Sequence, residues 1–250
     1  MARAKSVNED YFWIDQDKRF MIIADGMGGH YGGSIASQTA VMAIAEYLDR
    51  EYHSTPANMT LLEAGFNWAH EMVLNAKKPD ERLAEMGSTL LALLIRPSKH
   101  GSAYTLGSIG DSRLYCINKQ SIEQKTRDDT VIQRAIELGQ IRLSEARSHP
   151  LRHVLTQCIG QSESYPKPFL MDINISAGDI LIMVTDGVYQ CCDFNELVPQ
   201  ARSLENIGSE LDLVVDLIHR QLLEISPSDD ATSIVIGFSA GLAPNERAYQ

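Results

Sequence analysis

Five short runs of this sequence place carboxylates where an apolar or strand-like segment meets a turn. They are Asn8-Glu9-Asp10, Asp25-Gly26-Met27-Gly28-Gly29-His30 after Ile22-Ile23-Ala24, and Gly110-Asp111-Ser112-Arg113 after Ser108-Ile109. The others are Asp186-Gly187 after Ile182-Met183-Val184-Thr185, and Ser228-Asp229-Asp230-Ala231-Thr232 before an apolar run. A carboxylate at the end of a buried strand is costly unless it is paired or binds a metal ion. One such site could be a turn, but five in series point to a polynuclear cation site of oxygen ligands. Hard divalent ions held this way activate water and hydrolyse phosphate esters.

Four of these runs also have a plainer reading. Asp25-Gly26 could cap the following helix with turn glycines. Gly110-Asp111 could close a hairpin, Asp186-Gly187 could be a strand-to-turn step, and Asp229 could be an exposed turn residue.

The elements that must position these residues follow from periodicity. Residues 10–15 and 19–24 read as two strands joined by a polar turn, and a glycine-rich loop then feeds a helix over about 34–52. A second helix, about 60–77, follows a short connection and packs antiparallel to the first. Strands over 89–95, 102–109 and 113–117 read as an antiparallel meander. From 127 to about 167 the pattern is mixed and polar, with helices near 130–138 and 144–147, and reads as a flap-like insertion. Strands resume at 170–175 and 179–184, then a helix at about 209–224, a last strand at 232–238, and a frayed tail over 241–250. Helix pairs between groups of strands, without a βαβ rhythm, give an α+β class with antiparallel sheets covered by helices. One domain over 1–240 is expected.

Bulk properties narrow the function. A net charge of −11 argues against nucleic acid or an anionic membrane surface as partner, and the hydrophobic share of 44% suits a chain with a substantial core. The longest apolar runs, such as Leu90 to Ile95, are too short to span a bilayer. The first residues lack the apolar core of a secretory leader, so a cytoplasmic protein is expected. Cys116, Cys158, Cys191 and Cys192 show no zinc-ligand spacing and read as reduced thiols.

Taken in order, the motifs resemble one family: the metal-dependent protein phosphatases of the protein phosphatase 2C type, especially the compact bacterial form. The resemblance runs from about Lys5 to Phe238. Beyond the five runs it rests on Met86-Gly87-Ser88-Thr89, Thr126-Arg127-Asp128-Asp129-Thr130 and His149-Pro150. It implies a four-layer α-β-β-α sandwich, two central antiparallel sheets flanked by antiparallel helix pairs. It also implies a monomeric serine/threonine phosphatase with two core Mg2+ or Mn2+ ions and a looser third. In that picture Asp25 bridges the core ions with the Gly26 carbonyl on one of them. Asp186 and Asp229 complete one ion, Glu9 and Asp10 hold the other directly or through water, and Asp111 shares the third with Asp186. A metal-bridging hydroxide then attacks phosphoserine or phosphothreonine in line.

The chain departs from the family pattern in three places. Lys5 stands where an arginine usually clamps the substrate phosphate, and a lysine cannot make the bidentate fork; Arg3 could substitute. Met27 stands where many eukaryotic relatives carry a histidine, so His30 becomes the nearest candidate acid, with metal-bound water as another proton source. Asp230 replaces the commoner asparagine, and its charge should tighten metal or raise a neighbouring pKa. The implied partners are a phosphorylated protein and a serine/threonine kinase or its targets. The competing expectation is a catalytically weak, phosphoprotein-binding or regulatory homologue of the same fold, favoured by Lys5.

Overall fold

A computed structural model describes residues 7–28, 32–54, 59–98, 101–118, 121–146, 148–161, 164–194, 207–227, 229–238 and 245–250. Lys5, Arg3 and His30 lie outside the described residues.

Two antiparallel sheets form the centre. The first contains β1 (Asp10–Ile14), β2 (Phe20–Met27), β3 (Gly87–Ser88), β4 (Leu90–Ser98), β5 (Gly101–Ile109) and β8 (Phe169–Ile173), in the order β1-β2-β4-β5-β8 with β3 on β2. The second contains β6 (Arg113–Ile117), β7 (Ile122–Gln124), β9 (Ile180–Val184), β10 (Ser233–Gly237) and β11 (Asn245–Tyr249), in the order β11-β10-β9-β6-β7. The long helices α1 (Gly32–Glu51) and α2 (Met59–Lys77) cover the first sheet. Among the described residues, the second sheet is covered by α6 (Ile207–Ile225) and the short α5 (Asp186–Tyr189). Two short helices, α3 (Val131–Glu137) and α4 (Leu143–Ala146), lie in the insertion.

The strands are apolar on both faces because each face has its own cover. Phe20, Ile22 and Ala24 pack under α1 and α2, while Met21 and Ile23 point into the space between the sheets. Ile180, Ile182 and Val184 face α6, while Leu181 and Met183 meet Leu91, Leu93 and Leu106 across that space. Period-two alternation therefore sorts residues between two cores instead of between core and solvent. The result is the four-layer α-β-β-α sandwich.

Three expectations need correction. The strands over 89–117 are not one meander: β4 and β5 pair within the first sheet, but β6 belongs to the second. Gly110-Asp111 is thus the corner where the chain changes sheets, not a hairpin turn. Gly110 has φ +96°, and a Cβ there would lie 2.7 Å from Thr89 Cγ2, so both conformation and space call for glycine. Secondly, β2 does not stop at Ala24 but runs through Asp25 and Gly26 to Met27, which removes the helix-cap reading of Asp25. Thirdly, the tail is not frayed over its described part. Residues 245–249 pair with the edge of β10, Tyr249 stacks on His219 with ring centroids 4.7 Å apart, and Arg247 binds Asp212 at 2.8 Å. The Asn-Glu-Arg-Ala-Tyr segment has little apolar pattern because an edge strand gains mainly backbone hydrogen bonds.

Candidate metal centre

All the sheet ends that carry the acidic runs lie on one side of the sandwich. Asp10 at the start of β1 is paired with Asp25 near the end of β2. In the other sheet, Val184 at the end of β9 is flanked by Arg113 on β6 and Ser233 on β10. Asp111, Asp186 and the Asp229-Asp230 pair therefore leave their strands at one level.

Hydrogen bonds stitch the two sheets together there. Thr185 Oγ1 donates to Asp10 Oδ2 at 2.8 Å and accepts the Thr232 N–H at 3.0 Å. The Glu9 N–H donates to Asp230 Oδ2 at 2.8 Å. The backbone of Asp25 is held on both sides, its N–H by Thr89 Oγ1 at 2.9 Å and its carbonyl by the Thr89 N–H at 2.8 Å. Ser88 Oγ adds a second bond to that carbonyl at 3.0 Å. Gly26 donates its N–H to the Glu9 carbonyl at 3.0 Å.

Glycine makes this approach possible. A Cβ on Gly33 would lie 2.2 Å from Glu9 Oε1 and 2.6 Å from the Gly26 oxygen, so these two candidate ligands converge over a position no side chain can share. Gly187 lies equally close to the last acidic run, since its Cβ would be 2.0 Å from the Asp230 oxygen.

The electrostatics are those of crowded, dry carboxylates. Burial pushes Asp25 well above its ordinary value, and Asp10, Asp186, Asp111 and Asp229 push it further. Burial also raises Asp10 to about 7, against hydrogen bonds from Thr232 and Thr185 that lower it. Asp111 is raised to about 7 by burial, then by Asp186 and Asp128. Glu9 and Asp186 are raised too, first by burial and then by Asp230 and Asp229 respectively. The expected effect of the Asp230 charge is thus felt at Glu9.

Not every candidate is equally enclosed. Asp10, Asp111 and Asp186 are buried, Glu9 and Asp25 half-buried, and Asp229 exposed at the rim with its Oδ1 accepting the Asp230 N–H. Asp111 lies to one side, where its Oδ2 accepts the Tyr189 hydroxyl at 3.1 Å. Among the described residues, no three acidic, histidine or cysteine side chains are placed closely enough together to hold a metal ion.

The donor set still fits hard divalent ions. Glu9 Oε1, Asp10 Oδ1 and Asp186 Oδ1 are buried oxygens with no hydrogen-bond partner. Orphaned acceptors in a group of mutually repelling carboxylates are what a bound cation would satisfy. Ligands made only of oxygen suit Mg2+ or Mn2+ better than zinc.

Several residues that shape the site carried no signal of their own. Thr185 and Thr89 were legible only as parts of their motifs, and Gly33 only as one glycine of a loop. Tyr189, Gln190 and His153 follow no motif, because their roles depend on the insertion lying beside Asp186.

Comparison with known proteins decides the family. A model described as protein phosphatase 2C matches residues 1–212. The chain belongs to the protein phosphatase 2C family. The protein phosphatase PhpP of Streptococcus pneumoniae is 30% identical over 206 residues, spanning 79% of each chain. Among solved structures, the serine/threonine phosphatase PstP/Ppp of Mycobacterium tuberculosis superposes with a TM-score of 0.78 at 26% identity, covering 95% of this chain and 94% of that one. The catalytic domain of PstP in complex with two manganese ions superposes with a TM-score of 0.72 at 24% identity, over 93% and 92% of the two chains, and shows the shared fold. Protein phosphatase 2C enzymes hydrolyse phosphoserine and phosphothreonine with Mg2+ or Mn2+.

Proposed function

We propose that this chain is a working Mg2+/Mn2+-dependent serine/threonine phosphatase whose core ions are held by Glu9, Asp10, Asp25, the Gly26 carbonyl, Asp186 and Asp229, with Asp111 serving a further ion. The observation that carries this reading is the set of orphaned buried oxygens on Glu9, Asp10 and Asp186 beside Asp25. The ions, when bound, supply an activated water and neutralise the phosphoryl oxygens. Asp25 is the natural shared ligand, because every other candidate carboxylate except Glu9 is among the groups that raise it. Thr185 holds Asp10 and Thr89 holds the Asp25 backbone, so these two ligands are anchored by the fold itself. Without cations, this much negative charge would repel a phosphate dianion.

The chain acts as one phosphatase domain, with the 127–167 insertion as a flap over the site. A phosphorylated protein is the substrate, and a serine/threonine kinase or its targets are the partners by analogy with the family. A monomer in the cytosol fits the four free cysteines, and among the described residues no helix is long and apolar enough to cross a membrane. Lys5 or Arg3 would contact the phosphate, and His30 or a bound water would protonate the leaving group.

The test is hydrolysis of p-nitrophenyl phosphate and a phosphothreonine peptide. Turnover should require Mn2+ or Mg2+, stop in excess EDTA, and fall at least ~100-fold in Asp25→Asn and Asp186→Asn, the scale of losing a charge-stabilising group. Undiminished turnover in EDTA would sink the reading.

A further inference from the structure

The strand β11 carries two kinds of contact on its two faces. Arg247 and Tyr249 lie against α6, through Asp212 at 2.8 Å and the His219 ring at 4.7 Å between centroids. Side chains alternate along an extended chain, so Glu246 and, one residue past the strand, Gln250 point the other way. Both of them leave the second sheet altogether. Glu246 forms an ion pair with Lys18 at 2.9 Å, and the Gln250 side-chain amide donates to the Asp10 carbonyl at 2.7 Å. Asp10 begins β1 and Lys18 lies in the turn after it. Since β1 is the edge strand of the first sheet and β11 that of the second, residues 246–250 bridge the two sheets along one side of the sandwich.

The Gln250 end of this bridge lies level with the acidic runs. Tyr249 is paired with Ser233, which is paired in turn with Val184, two residues before Asp186. The register of β1 explains why the Asp10 carbonyl is there to be held. The Gly26 N–H donates to the Glu9 carbonyl at 3.0 Å, and bonded and non-bonded pairs alternate in antiparallel strands. Asp10, opposite Asp25, is therefore a non-bonded pair whose N–H and C=O point away from β2, to the edge of the sheet. Asn8 Oδ1 accepts that N–H at 2.8 Å, and Gln250 supplies the donor for the carbonyl. The Asp10 side chain is buried, with Oδ2 fixed by Thr185 and Oδ1 without a partner. Its backbone is thus held by a residue 240 positions further along the chain.

We propose that Gln250 is a positioning residue for the metal centre. By holding the Asp10 carbonyl it fixes the Glu9–Asp10 stretch, and the docked strand β11 so sets how tightly the ion on these two ligands is held. This role rests on the reading of Glu9 and Asp10 as ligands. One neutral hydrogen bond contributes modestly, so loss of Gln250 loosens the ion and does not abolish its binding. The Lys18–Glu246 pair and the contacts with α6 keep β11 docked when Gln250 is removed.

Mn2+ calorimetry and hydrogen–deuterium exchange on the full chain test this with Gln250→Ala. The control is Arg247→Ala, which loses an exposed ion pair on the helix face of the same strand. Gln250→Ala should weaken Mn2+ at the affected ion about fivefold, the scale of one such bond, and speed exchange over residues 8–12 of the metal-free protein. Turnover at saturating Mn2+ should stay at the wild-type level, with only the Mn2+ concentration for half-activation raised. Arg247→Ala should match the wild type in both measurements. Wild-type Mn2+ affinity or wild-type exchange in Gln250→Ala overturns the role. Equal weakening of Mn2+ in Arg247→Ala overturns it too, because the effect would then belong to the strand as a whole. Failure of the wild type to take up any Mn2+ removes the phosphatase reading itself, and this role with it.

Discussion

Asp10 and Asp111 show what the folded chain pays at single residues for this arrangement. Both are raised to about 7, first by burial, and keep protons that unfolded aspartates release near 4. Between those values the metal-free folded state binds more protons than the unfolded one. These groups therefore stabilise fully below about pH 4 and lose that contribution as pH rises through about 7. Glu137, held down to about 2 by Arg127, works in the opposite direction only below about pH 5.5, where an unfolded glutamate still binds protons. In EDTA, the melting temperature should fall by several degrees between pH 5 and 7.5, since each group contributes up to about 1.4 kcal/mol per pH unit. Saturating Mn2+ should flatten the fall, because the ion takes the protons' place. A metal-free melting temperature that rises over this range would contradict the assignment of these carboxylates to one dry cluster.

At the scale of elements, glycines separate the site from the scaffold. The start of α1 approaches β2 so closely that a Cβ on Gly33 would strike Glu9 Oε1 and the Gly26 oxygen. Gly107 in β5 lies under α2, where a Cβ would sit 2.6 Å from Phe66 Cε2 and 2.9 Å from Leu62 Cδ2. Gly33→Ala should weaken Mn2+ binding about tenfold or more by displacing Glu9, in line with losses on disturbing ligand supports. Gly107→Ala should lose ~1–3 kcal/mol of stability through overpacking and keep its Mn2+ affinity. Calorimetry on the two variants, paired with thermal melts, checks the contrast. Equal Mn2+ affinity in both would show that the Glu9–Gly26 pair holds no ion. The insertion is tied to the same region by Arg113, which grips Asp128 at 2.6 Å and lies over the Tyr189 ring at 3.7 Å. Tyr189 then reaches Asp111, so one chain of contacts runs from the insertion's root to the metal centre.

For the whole molecule, the candidate metal centre is a seam between two sheets contributed by distant parts of the chain. Ions that bind only the folded state stabilise it by about 2.7 kcal/mol at a hundredfold excess over Kd. For a chain of this size that is a rise of roughly 5–10 °C in melting temperature. Mn2+ should produce such a shift in the wild type and a much smaller one in Asp186→Asn. A wild-type melting temperature indifferent to Mn2+ would mean that the seam closes without cations. Opposite-charge surface pairs are a minor part of stability by comparison, since exposed ion pairs contribute about 0–1 kcal/mol each.

The acidic runs, their place at strand ends and the α+β class were legible in the sequence, because burial imprints a local period on each segment. Ile22 to Asp25 shows this: an apolar run that ends in a carboxylate already says that a buried strand meets a polar site. What the period does not encode is the partner. Whether β6 pairs with β5 or with β9 depends on contacts between residues far apart, and the Gly110 corner decided it only in the folded chain. The same holds for β11, whose polar residues carry no apolar pattern, and for Thr185, which is tied to Asp10 across 175 residues. His153 is the extreme case, since only folding sets it 3.6 Å from Asp186. Local pattern therefore determined which residues seek burial or cations, and tertiary structure decided which of them meet, because only long-range packing brings the two sheet ends together.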